Sequence, residues 1–133
     1  MDDPSVVLRA VMSDPSKQPD PNCGIADVLS LFKGRWKGEV IALLFDQTMR
    51  FNELRRELPG ASARALTESL RQLERDGVIV RTQFKAVPPR VEYRLSSYGS
   101  QLVPLLDQIY DWGQEHFDCV RACRAKYDAA NAE

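Results

Sequence analysis

From Ile25 onward, apolar residues recur along the chain at helical spacing. Ile25, Val28, Leu29 and Phe32 fall on one face and predict a first helix. The polar stretch KGRWKG interrupts it. Trp36, Val40, Leu43 and Leu44 then predict a second helix with these residues inward, closed by the polar DQT. RFNELRREL predicts a third, short helix with Asn52 as its N-cap and Glu53 in the first turn. Pro59 and Gly60 punctuate. Ser62 caps a fourth helix over SARALTESLRQLERDG. Its buried stripe is Leu66, Leu70 and Leu73, and Gly77 stands where a helix-ending glycine belongs.

The period then drops to two. In VIVRTQF, Val78, Val80, Thr82 and Phe84 share a face; in RVEYRL, Val91, Tyr93 and Leu95 alternate with Arg90, Glu92 and Arg94. The two arms flank KAVPP and predict an antiparallel hairpin with a basic, proline-stiffened tip. Ser96 or Ser97 caps a last helix over about 97–118. One line of it carries Leu102, Leu106, Ile109 and Gly113, and a second carries Tyr98, Leu105 and Trp112. This stripe is wider than one small core requires. Pro104 falls inside this helix and should kink it. Residues 1–22, with Pro4, Pro15, Pro19 and Pro21, predict a mostly flexible arm with a short helical turn at SVVLRAVM. The expected organisation is an arm (1–22), one domain (23–118) and a C-terminal tail (119–133).

The 133 residues suffice for one buried core, and 44% apolar with 28% charged residues suits a globular domain. No apolar run approaches the roughly 18 residues of a membrane span. The start, MDDPSVVLRAVM, is acidic and lacks the positive region of a secretory signal, so a cytoplasmic location is expected. The net charge of −1 conceals a basic centre: residues 50–94 hold ten Lys/Arg against six Asp/Glu, and nine of the ten are arginine. Arginine suits bidentate contact to phosphate or guanine. By itself such a charge excess equally describes a solvated surface.

The order of elements changes that balance. Two helices, a short helix, a turn, a capped helix and a basic hairpin form the sequence of a winged helix-turn-helix, mainly α with a small β-hairpin. With Leu66, Leu70 and Leu73 inward, Arg64, Glu68, Arg71 and Arg75 point outward and Thr67 lies on the flank. Ser62 and Arg64 sit at the end where base contacts are usual. Ser62, Arg64, Thr67, Glu68, Arg71 and Arg75 are the candidate DNA contacts of the helix, and Lys85 and Arg90 those of the wing tip. Lys33, Arg35 and Lys37 are candidate phosphate contacts, and equally a solvated turn.

RFNELRRELPGASARALTESLRQLERDGVIVR followed by PPRVEYRLSSYG resembles the HxlR-type winged-helix regulators, relatives of the MarR group. Cys23, Trp36 and Trp112 match a cysteine and two tryptophans of that pattern, and the resemblance covers about residues 23–117. It implies a homodimeric transcription regulator that binds an inverted-repeat operator in double-stranded DNA. It also implies that the first and last helices build the dimer interface, with Phe32, Trp36, Leu105, Ile109, Tyr110 and Trp112 as candidates. In several members the N-terminal cysteine senses oxidants, quinones or aldehydes. Two departures stand out: Gly24 replaces the proline that often follows the cysteine, and the Gly-Gly-Lys-Trp turn is KGRW.

Cys23 lies at the edge of the first helix, with Asn22 or Cys23 itself as the cap, where unpaired N–H groups favour a thiolate. Three cysteines cannot all pair within one chain. Two other gates for the same regulator stay open. One is a noncovalent aromatic ligand near Trp36, Tyr110 and Trp112. The other is metal held by Cys119 and Cys123, with His116 one turn before Cys119. No cofactor is expected. No Gly-rich phosphate loop, nucleophile elbow or histidine-rich motif points to an enzyme.

Overall fold

The computed structural model describes residues 24–132. The expected arm (1–22) and Cys23 lie outside these residues. The chain forms two units that meet at Lys33–Gly34. The first contributes helix α1 (Ile25–Ser30), capped by Gly24, whose N–H donates to the Asp27 carboxylate at 2.8 Å. The cap is therefore neither Asn22 nor Cys23, and Cys23 stands one residue outside it. None of the α1 residues is buried within the chain.

The second unit runs α2 (Lys37–Leu43), α3 (Phe51–Glu57), α4 (Ala63–Arg75), β1 (Ile79–Phe84), β2 (Arg90–Leu95), α5 (Ser97–Ser100) and α6 (Leu102–Ala130). Its core is built where α2 meets α4 and α6, and where α4 meets β1. Val40, Ile41, Leu44, Leu54, Leu66, Leu73 and Val78 are fully buried there. Each large aliphatic side chain so placed contributes about 1.5–3 kcal/mol relative to exposure. Trp36 is the N-cap of α2 and half-buried, with its ring edge against Gly60; Ile41 takes the inward place expected for Leu43.

The N-cap of α3 is Arg50, not Asn52. Its backbone is extended and its N–H donates to Glu53 Oε1 at 3.0 Å, because the glutamate three residues on reaches back to the free donor. Just before it, Met49 pairs with Tyr93 through two backbone hydrogen bonds of 2.9 and 2.8 Å, which adds a third edge to the hairpin. α4 begins as expected: the Ser62 hydroxyl accepts from the Ala65 N–H at 3.0 Å. It ends at Gly77 (φ 72°), where Gly77 N–H reaches Glu74 O and Val78 N–H reaches Leu73 O, both at 2.9 Å.

The hairpin pairs Ile79 with Leu95, Arg81 with Tyr93 and Phe84 with Arg90. Val80, Thr82 and Phe84 do share a face, but it is the face of Arg90, Glu92 and Arg94. Ile79, Arg81 and Gln83 share the other with Val91, Tyr93 and Leu95.

The last helix differs most from expectation. Ser96 caps the short α5, its Oγ accepting from the Gly99 N–H at 3.1 Å, and α6 starts afresh after Gln101. Pro104 is thus the third residue of α6, where no intrahelical partner awaits its missing N–H, so it replaces an interior kink with a helix start. The helix runs on to Ala130 instead of ending near 118, so the expected tail (119–133) is helical through Ala130.

A Cβ added at Gly99 would meet the backbone oxygen of Val78, and one at Gly77 would meet the Tyr98 hydroxyl. Neither Val78 nor its neighbours can yield easily. Gly99→Ala should therefore lower the unfolding free energy by about 2 kcal/mol, and Gly77→Ala by about 1–2 kcal/mol for its left-handed backbone. Gly38→Ala, with nothing within 4 Å, should raise it by roughly 0.5 kcal/mol. Urea unfolding of the three variants checks the order.

Candidate nucleic-acid interface

Two fixed ends and one buried stripe hold α4. Ser62 secures its start, the Gly77 turn its end, and Leu66, Leu70 and Leu73 fix its rotation. Arg64, Glu68, Arg71 and Arg75 are therefore exposed along the opposite side. Arginines at these spacings lie one above another on a helix and can span adjacent phosphates or base edges.

The candidate polar residues differ in what they already do. The Ser62 oxygen caps the helix but keeps its O–H to donate. Thr67 Oγ1 donates to Ala63 O at 2.7 Å, so its hydroxyl is engaged with the helix. Glu68 accepts from Gln72 Nε2 at 2.9 Å. Among the described residues, Arg64, Arg71 and Arg75 make no hydrogen bond or ion pair within the chain, which leaves their charge for a partner.

In the wing, Lys85 is exposed at the tip. Arg90 is not at the tip but opens β2. Its guanidinium lies 4.4 Å from the Phe84 ring centre and Nε stands 3.2 Å from Glu92 Oε1. The buried Nε–H is not directed at that carboxylate, so the contact is ionic and not a hydrogen bond. Arg90 thus braces the wing more than it reaches outward.

The structure adds residues that the pattern did not single out. Arg81, on the face of Tyr93, joins Arg71, Thr67 and Glu74 around a crevice of about 340 Å³ between α4 and the hairpin. Its signal is the strand register, which sets Arg81 opposite Tyr93 on the crevice side of the hairpin with its side chain still exposed. Asn52, Arg55 and Arg56 line an open depression on α3. Of the turn cations, Lys37 is only 7% exposed, so it is not a phosphate contact. Arg35 lies over Trp36 and 3.5 Å from Glu39.

The candidate interface residues on α6 also sort by face. Leu105, Ile109 and Trp112 lie on one side and are 40%, 46% and 56% exposed. Tyr110, two residues from Trp112, points to nearly the opposite side, so the two cannot line one pocket from this helix. Trp112 stacks on His116 at 4.7 Å.

A braced short helix, a tight turn, a doubly fixed helix with an outward arginine row, and a β-hairpin beside it define a winged helix-turn-helix DNA-binding protein. The chain belongs to the HxlR-like helix-turn-helix family, whose profile matches residues 31–120, and so to the helix-turn-helix transcriptional regulators. It is 42% identical over 110 residues to the uncharacterized HTH-type transcriptional regulator YdeP of Bacillus subtilis strain 168, covering 83% of this chain and 86% of that one. Among solved structures it is similar to the redox regulator HypR in its oxidized form (40% identity, TM-score 0.65, covering 70% of this chain and 96% of that one). It is also similar to the reduced form of the transcriptional regulator YodB from B. subtilis (28% identity, TM-score 0.64, covering 73% and 93%). Among the described residues no helix is long and apolar enough to cross a membrane.

Removing Arg71 should weaken DNA binding across sequences and lower the slope of log affinity against log salt by about 0.9, the value for one phosphate contact. Arg81→Ala should act the same way. Arg90→Ala should change stability more than salt slope. Fluorescence anisotropy on duplex DNA at several salt concentrations measures both quantities.

Proposed function

We propose that the protein binds an inverted-repeat operator as a homodimer, and that modification of the Cys23 thiol by oxidants, quinones or other electrophiles alters its DNA affinity. The observation that carries the DNA reading is the exposed Arg64–Arg71–Arg75 row on a helix fixed at both ends. Ser62 adds an O–H able to reach a base edge and Lys85 a charge for the flanking backbone, while Thr67 and Glu68 flank the row with their side chains already bonded to Ala63 O and Gln72. The apolar row Leu105, Ile109 and Trp112 supports a second copy as the occupant of that face of α6, because large apolar side chains in line are seldom left in water. A dimer would set two recognition helices on half-sites about 34 Å apart or a multiple of that.

The thiol reading is supported by two facts. Cys23 directly precedes Gly24, the cap of α1. Two of the similar structures are of HypR, named a redox regulator, in its oxidized and reduced forms. With a quinone, the Cys23 sulfur adds to the ring and the thiol proton goes to the resulting hydroquinone, so no further oxidant is needed.

Two measurements test this reading. Ile109→Glu should shift the protein from dimer to monomer in sedimentation and lower operator affinity at least tenfold. Wild type exposed to a quinone or diamide should change operator affinity, and Cys23→Ser should not. A response that persists in Cys23→Ser would move the switch away from this residue.

A further inference from the structure

The C-terminal half of α6 carries two thiols that the DNA-binding reading does not use. Cys119 and Cys123 are free, exposed and four residues apart on one continuous helix. At that spacing side chains stand one above the other, with Cβ atoms about 5–6 Å apart. A disulfide needs Cβ atoms about 3.5–4.5 Å apart, so the helix holds the pair too far apart to close on itself. A single bridging atom with arms of about 2.3 Å, the length of a metal–thiolate bond, spans the gap without unwinding the helix.

The surroundings decide what the bridge is. Zinc takes at least three protein ligands. Among the described residues, no group of three His, Cys, Asp or Glu is placed to hold a metal. His116, the nearest further donor by sequence, is engaged elsewhere: its Nδ1 is 3.1 Å from Trp112 O and its ring stacks on Trp112. The carbonyl can only accept, so Nδ1 carries the hydrogen. Arg121 is held by Asp118 at 3.0 Å and lies over Phe117, as does Arg124. Lys126, one turn beyond Cys123, is exposed and supplies positive charge on the thiol side.

We propose that Cys119 and Cys123 form a two-thiolate clamp for a soft centre that two sulfurs satisfy, either a trivalent organoarsenical or monovalent copper. With an arsine oxide, two As–S bonds form, the As–O bond is lost and the two thiol protons leave as water. Arsenic stays trivalent. With copper, two S–Cu bonds form and the two protons go to solvent. Cys119 and Cys123 continue the helical line of Leu105, Ile109 and Trp112, so the clamp rests on that line staying open beyond the dimer contact, and its readouts are thiol titration and mass, not operator affinity.

The test uses the full chain, kept reduced, with Cys23→Ser as background. Phenylarsine oxide should add one equivalent per chain by intact mass, with loss of both titratable thiols. The adduct should survive excess 2-mercaptoethanol, because ring closure is intramolecular, and be removed by 1,2-ethanedithiol. Cys119→Ser and Cys123→Ser should each lower affinity at least 100-fold, with helix content by circular dichroism unchanged. A parallel titration with Cu(I) separates the two centres: binding of only one assigns the clamp to it. The proposal is overturned if neither binds, if two equivalents of arsenical add, if a monothiol strips the adduct, or if Zn(II) binds as tightly and requires His116.

Discussion

One corner of backbone holds this domain together, the three carbonyls of Asp76, Gly77 and Val78. A helix end leaves carbonyls without partners, and burying them unpaired is costly. Here the partners come from the far side of the hairpin. Tyr98 OH donates to Asp76 O, Ser96 N–H to Val78 O at 2.9 Å, and Ser96 Oγ to Gly77 O at 2.6 Å. Ser96 Oγ is also 3.0 Å from Val78 O, but it has one hydrogen, and the shorter contact takes it. Neither glycine has room for a side chain: the Val78 backbone lies against Gly99 and the Tyr98 hydroxyl against Gly77. The end of α4, the start of β1, the end of β2 and the start of α5 thus meet in a single network.

That corner has a functional consequence. It fixes the C-terminal end of α4 against the hairpin, while Ser62 fixes the N-terminal end and the leucine stripe fixes the rotation. The arginine row is then presented at one angle to the wing, with no freedom to roll. The pairing of Met49 with Tyr93 ties the entry to α3 onto the same sheet. Arg81, Tyr93 and Arg71 border one crevice for this reason: the sheet that braces the recognition helix also brings its own cation beside it. Positive charge drawn from two elements, Arg71 on α4 and Arg81 on β1, is electrostatically more than a row on one helix, since each phosphate contact it could make would multiply affinity.

The helices and the hairpin were legible in the sequence because their signals are local. Ser62, Gly77 and the leucine stripe of α4 each need only their neighbours to act. What the sequence hid was decided across space. Arg50 took the cap expected at Asn52 because the Glu53 carboxylate reaches back three residues to the Arg50 N–H. The hairpin register set Arg81 opposite Tyr93, at the exposed rim of the crevice beside α4, a placement that the strand's own alternation does not reveal. Pro104 suggested a kink only while α5 and α6 were read as one helix. A break at Gln101 removes the conflict, and it arises because Ser96 to Gly99 must serve the corner at Val78. Lys37 looked like one of three solvated cations in a turn, yet it lies within the packed side of α2.

The length of α6 ties fold to assembly. At 29 residues it extends roughly 43 Å, further than its own domain can cover. Past Val103 none of its residues is buried. Contacts such as Asp118 with Arg121, or Arg121 and Arg124 over Phe117, are worth a few tenths of a kcal/mol each on an exposed helix. Helical stability in proteins comes mainly from packing an apolar face, and the face available is Leu105, Ile109 and Trp112. A second copy laid along that row would stabilise the helix and set the distance between two arginine rows in the same step. On that view the operator spacing and the stability of α6 are one property, and a change at the apolar row alters both together.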